Sequence, residues 1–103
     1  MSRELLRSFG AAPVADRVVV DGKFFTGGGV TAGIDVALTV AAEIAGKATV
    51  EAIQLGIEYD PAPPFASGSP EQADPAVLAD VLTRAELRQR DRAERVARAA
   101  AAL

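Results

Sequence analysis

The 103-residue sequence contains no cysteine, no histidine and no tryptophan. Without cysteine there is no disulfide and no thiolate nucleophile within the chain. Without histidine there is no Ser-His-Asp triad, and a Cys/His zinc site is closed as well. A metal would have to be held by carboxylates alone, and no Asp-rich loop of calcium spacing is present, so neither a metal site nor a cofactor is expected. Aromatics make up 5% of the residues. Much of the apolar half is alanine, so a core must rest on Val, Leu, Ile and four Phe and will be lean. An excess of basic charge is also missing: 11 Lys and Arg face 14 Asp and Glu, which argues against nucleic acid as a partner. Asp35, Glu43 and Glu51 interrupt the apolar stretches, so no membrane span is expected. The opening MSRELLRSFG lacks the apolar run of a secretory signal. A chain free of cysteine is compatible with a cytoplasmic setting.

What is present is enough for one small α/β domain. Residues 2–9 read as a short helix with Ser2 as cap and Leu5, Leu6 and Phe9 on one face. In RVVVDGKFFTG two apolar runs flank Asp21-Gly22, a hairpin signal of the type I′ kind, with strands expected at 17–20 and 23–26. Gly27, Gly28 and Gly29 follow. Thr31 reads as the cap of a helix over TAGIDVALTVAAEIAG, ending before Gly46. Its polar positions Thr31, Asp35, Thr39 and Glu43 recur every four residues, a narrow solvent stripe on a helix otherwise apolar and expected to be buried on most of its circumference. Glu43 and Lys47 are expected to pair. A further helix is expected to about Leu55. The segment DPAPPFASGSPEQADP holds five of the six prolines and reads as an extended arm wrapped on the surface, with Tyr59 and Phe65 as anchors. Asp74-Pro75 opens a last helix, whose apolar stripe of Val77, Leu78, Val81, Leu82 and Ala85 weakens beyond Glu86. This sets residues 1–86 apart as the domain and 87–103 as an exposed Arg/Ala-rich helical tail that frays.

The tri-glycine loop is the most informative local feature. Three glycines before a helix permit backbone shapes closed to other residues and expose amides at a helix N-terminus. One reading is a tight turn that lets helix and strand approach. Another is the wall of a pocket, formed by Gly27, Gly28, Gly29, Val30 and Thr31. The run also fits G-x-G-x-x-G/A, but a dinucleotide fingerprint needs a βαβ unit, and a hairpin stands here instead. Asp35 and Glu43 read as a solvated face, and so do the Arg-rich tail and its interleaved acids. Asp60, fixed between Tyr59 and the prolines, is expected to steady the loop by accepting its amides. The alternative for Asp60 is simply to start the turn before the prolines.

The run VVVDGKFFTGGGVTAGIDVALTVAAEIAG followed by QLGIEYDPAPPFASGSPEQA resembles the C-terminal half of the PfpI family, within the class I glutamine-amidotransferase-like superfamily, and in particular its isonitrile hydratase branch. The resemblance runs from Leu5 to about Leu82. It implies half of a flavodoxin-like, doubly wound sandwich, with most of the parallel sheet, the nucleophilic Cys and its acidic partner in the half that is missing. It implies hydration of an isonitrile to an N-substituted formamide in a complete protein, with Gly27 to Thr31 as pocket wall, no catalytic residue in this chain, and a homodimer or association through exposed apolar faces. Regulators with a PfpI-like sensor domain share a similar TAGID helix but continue into helix-turn-helix modules. A non-enzymatic sensor or interaction domain, or a truncated remnant, is the alternative.

Overall fold

Val18–Asp21 (β1) and Phe24–Gly27 (β2) pair antiparallel in the computed structural model, which describes residues 2–103. The register runs Val18 to Gly27, Val19 to Thr26, Val20 to Phe25 and Asp21 to Phe24. The central turn residues are therefore Gly22 and Lys23, one position later than Asp21-Gly22. Gly22 has a φ of +56°, and no non-glycine near it has a positive φ. A type I′ turn needs positive φ at both central positions; positive φ at the first alone is the II′ pattern. Both kinds match the right-handed strand twist, so the hairpin forms either way.

After β2 the chain makes one turn of 3₁₀ helix over Val30–Ala32, then helix α1 over Gly33–Ala45. Thr31 is not the cap. Ala32 takes that position, with no side-chain cap bond. Gly46, at φ +84° and ψ 155°, ends α1 and starts α2, Lys47–Gly56. That break separates Glu43 from Lys47, and Lys47 pairs instead with Glu51 at 3.4 Å within α2. Helix α2 closes in a Schellman turn: Tyr59 N–H donates to Gln54 O and Glu58 N–H to Leu55 O, both at 3.1 Å. Glu58 occupies the left-handed position of that turn, at φ +51°, where glycine is usual.

These elements form one compact unit, Val14–Pro61. Within it α1 packs on β2 and on α2. Ala32 and Val50 are its buried residues, and α1 itself buries none. The expected burial of most of the α1 circumference is thus not met within this chain. Two antiparallel strands and two helices do not close a core, and a two-stranded hairpin is marginal by itself in water.

The second unit joins Met1–Pro13 to Ala62–Leu103. Arg3–Phe9 is 3₁₀ rather than α-helical and ends at Gly10 in the left-handed conformation. Ser2 makes no cap bond. Its hydroxyl instead donates to Gln89 Oε1 at 3.1 Å and receives a hydrogen bond from Arg92. The arm from Pro61 to Ala73 contains no helix or strand, as its prolines require. Phe65 is 80% exposed, so it does not anchor the arm.

Asp74 then caps helix α3, Pro75–Ala101, accepting from Ala76 N–H at 2.8 Å, with Pro75 in the first turn. The helix runs unbroken past Glu86, so the division drawn at residues 86 and 87 falls inside it. Pairs Asp80–Arg84, Glu86–Arg90 and Asp91–Arg95, each four residues apart, line its surface. Its sheltered face is longer than the aliphatic stripe: Ala85 is buried, while Leu78, Gln89, Ala93, Val96 and Ala100 are half-buried. Among the described residues no helix is long and apolar enough to cross a membrane.

Candidate functional site

The residues from Gly27 to Thr31, from the last residue of β2 into the 3₁₀ turn before α1, are all exposed, and Val30 is 99% exposed. Its glycines answer to three different demands. A Cβ on Gly27 would stand 2.8 Å from Val36 Cγ2, so the strand end and α1 approach as closely as they do because residue 27 has no side chain. A Cβ on Gly28 would meet Asp16 O at 3.2 Å and Arg17 Cα at 3.5 Å. Gly29 lies at φ +130°, a conformation side chains rarely adopt.

Arg17, the residue before β1, brackets this loop with both backbone and side chain. Its carbonyl accepts from Gly28 N–H at 2.8 Å. Its Nη2 donates to Thr31 O at 2.9 Å, and its Nε donates to the Asp35 carboxylate. The other Asp35 oxygen, Oδ1, accepts from the Tyr59 hydroxyl at 3.0 Å. Tyr59 is aimed by the Schellman turn, and Gln54 Nε2 holds its carbonyl at 3.1 Å. Arg17, Asp35 and Tyr59 thus tie together the start of β1, the first turn of α1 and the end of α2.

The Arg17 guanidinium beside Asp35 holds its carboxyl below the usual carboxylate range. Partial desolvation opposes this, and the Tyr59 hydroxyl adds to the lowering. The same ion pair raises the Arg17 pKa. A negative carboxylate in the first turn of α1 also suits the helix dipole.

Two sequence expectations change here. Asp35 belongs to no idle solvated stripe; it is the hub of the loop's support. Asp60 does not take that role: among the described residues no hydrogen bond joins its carboxylate to the loop, and its own N–H donates to Glu58 O at 3.0 Å. The loop amides are also less free than a bare helix start implies, since Gly28 N–H is bound to Arg17 and Ala32 N–H to Gly29 O at 3.2 Å. No sequence signal marks the cluster, because its members lie 18 and 24 residues apart. Among the described residues no group of acidic side chains is arranged to hold a metal ion. The arrangement is one that positions a backbone loop.

No family model matches the chain. It is 54% identical over 100 residues to the isonitrile hydratase of Pseudomonas putida, an alignment that takes in 97% of this chain and 44% of the relative. Its fold superposes on the crystal structure of a ThiJ/PfpI family protein from Pseudomonas syringae with a TM-score of 0.84 and 39% identity, over 92% of this chain and 39% of the other. The sequence resemblance and the α/β architecture agree with both. Across nearly all of its residues the chain is thus similar to ThiJ/PfpI-type sequence and structure, and it spans less than half the length of each of these two relatives.

Proposed function

We propose that this chain supplies scaffold and pocket wall to an isonitrile hydratase-like protein of the cytoplasm whose nucleophile lies outside the chain. The carrying observation is 54% identity to a protein of that name in a sequence with no Cys and no His. In the complete protein an isonitrile R–NC takes up one water to give R–NH–CHO, with no net oxidation or reduction. A thiolate attacks the terminal carbon and water releases the formamide. The part of this chain is the loop Gly27 to Thr31, held in place by Arg17, Asp35 and Tyr59, as one wall beside the reacting carbon. The complete protein acts as a homodimer on a small-molecule substrate, with neither nucleic acid nor membrane as partner.

The test is an assay of the purified chain with a simple alkyl isonitrile, following the N-substituted formamide by mass spectrometry. The chain alone shows no turnover above buffer. Fusion to the portion of the Pseudomonas putida relative that it does not match gives turnover. Activity of the chain alone that survives repurification, or a folded fusion without activity, overturns the reading.

A further inference from the structure

Helix α3 repeats one device along its surface, an acid four residues ahead of an arginine. Asp80 serves Arg84, Glu86 serves Arg90 and Asp91 serves Arg95, and Glu94 stands at the same offset from Arg98. The device fails at two positions. Four residues ahead of Arg88 stands Arg84, and four ahead of Arg92 stands Arg88 itself. Like charges at this spacing repel, where opposite charges would attract. Arg88 has no side-chain hydrogen bond or ion pair among the described residues, unlike Arg84, Arg90, Arg92 and Arg95. Arg92 finds no carboxylate either: its Nη1 donates to the Ser2 hydroxyl, an uncharged acceptor 90 positions away, and Ser2 donates in turn to Gln89 Oε1. Steps of four and three return to nearly the same side of a helix, so Arg88, Arg92 and Arg95 share one face. Together with Asp91 they line one open recess. Asp91 is matched to Arg95 at 3.0 Å, which leaves the charges of Arg88 and Arg92 uncompensated, about 6 Å apart along the helix axis.

We propose that Arg88 and Arg92 form a binding site for a small phosphate-class dianion, either inorganic phosphate or a soluble phosphate monoester. Two planar guanidinium forks one helical turn apart present donors that a tetrahedral group can bridge, one oxygen edge to each. A dianion cancels both charges at once and removes the repulsion between them. A carboxylate carries one charge and two oxygens, and leaves half of the surplus in place. All five N–H donors of Arg88 are open to such a ligand, and so are those of Arg92 that Ser2 does not take. The Asp91 carboxylate would repel an anion, but it is turned to Arg95. The site is open to water, so binding in about the millimolar range is expected of two charge-assisted contacts. Arg92 also holds Ser2, the residue before Arg3–Phe9. An anion seated on Arg92 therefore steadies the side chain that fastens this segment to α3. Neither arginine takes part in the glycine loop or its support.

The experiment titrates the full chain with inorganic phosphate at slightly alkaline pH, where the dianion prevails. Ionic strength is held constant so that screening of the arginines does not change. Calorimetry and NMR of the arginine Nε–H groups follow the binding. Saturable one-to-one binding is expected, with the signals of Arg88 and Arg92 moving and that of Arg98 staying in place. Arg88→Gln and Arg92→Gln each weaken the affinity by about 10-fold or more. Arg98→Gln, two turns from Arg92, changes it by less than about 2-fold. Arg88 is exposed and makes no bond that the helix could lose, and circular dichroism checks that α3 persists in each variant. Acetate at the same ionic strength binds at least about 10-fold more weakly than phosphate. The same titration with glycerol 3-phosphate separates the two sources: tighter binding marks a phosphorylated small molecule as the ligand, and equal binding marks free phosphate. Absence of saturable binding, a loss on Arg98→Gln as large as on Arg88→Gln, or acetate binding as tight as phosphate overturns the proposal.

Discussion

Arg17 and Asp35, 18 residues apart, form an ion pair that fastens the start of β1 to the first turn of α1. The glycine loop lies between these two fixed points. Tyr59 adds a third strut from the end of α2. Replacement Asp35→Asn keeps the shape and removes the charge. Amide exchange from Val30 to Val36 then speeds up, while exchange in the hairpin at Val19 and Phe25 does not. Equal acceleration in both segments would show that the pair serves the whole unit and not the loop.

The same pair gives a pH dependence of definite sign. The folded-state pKa of Asp35 lies below its ordinary value. Its contribution is therefore complete above an unfolded carboxylate pKa of about 4 and is lost as pH falls through the lowered value. Loop exchange, corrected for the intrinsic pH effect, rises below about pH 4 in the native chain. In Asp35→Asn that rise is absent.

Glycine replacements separate packing from conformation. Gly27→Ala drives a methyl into Val36 and costs about 1–3 kcal/mol, the usual range for overpacking. Gly33, at φ −58° and ψ −39°, has open space within 4 Å of where a methyl would stand. Gly33→Ala stabilises by about 0.4–1 kcal/mol, mainly by restricting the unfolded chain. Thermal unfolding of the two variants shifts in opposite directions.

Glu58 holds a left-handed conformation that costs an L-residue about 1–2 kcal/mol. Glu58→Gly relieves that strain and gives back part of it in unfolded-chain entropy, for a net gain of about 0.5–1 kcal/mol. The measurement is thermal stability together with preserved exchange protection at Tyr59. A loss of stability would mean that the Glu58 side chain contributes more than its backbone costs.

Asp74→Ala removes the cap bond to Ala76 and costs about 1 kcal/mol. Helical circular dichroism falls, and exchange in the first turn of α3 rises before exchange near Ala93 does. Uniform acceleration along α3 would contradict a local capping role.

How much of this is legible in the sequence depends on range. The hairpin, the start of α3 at Asp74-Pro75 and the unstructured proline arm follow from local chemistry and appear where expected. The hairpin turn is displaced by one residue, because one positive φ at Gly22 satisfies a II′ turn without the aspartate. The stretch of α3 beyond Glu86 reads as a fraying end, since its sheltered positions include Gln89, Ala93 and Ala100 and few large aliphatics. Asp35 reads as one of a solvated series because its period is helical. Only the fold brings Arg17 and Tyr59 to it. The reverse holds for Asp60, whose rigid flanks are visible in sequence but do not direct its carboxylate to the loop.

The contact between Ser2 and Gln89 spans 87 positions, and it sets an order of events during synthesis. Chain emerges from the ribosome N-terminus first, at about 5–20 residues per second. The Val14–Pro61 unit is complete before any residue of α3 has been made, whereas Arg3–Phe9 waits until that helix follows. Closing so long a loop costs about 4 kcal/mol beyond the constant term, by the logarithmic scaling of chain closure. Residues 3–9 are thus made ahead of residues 14–61 and placed after them.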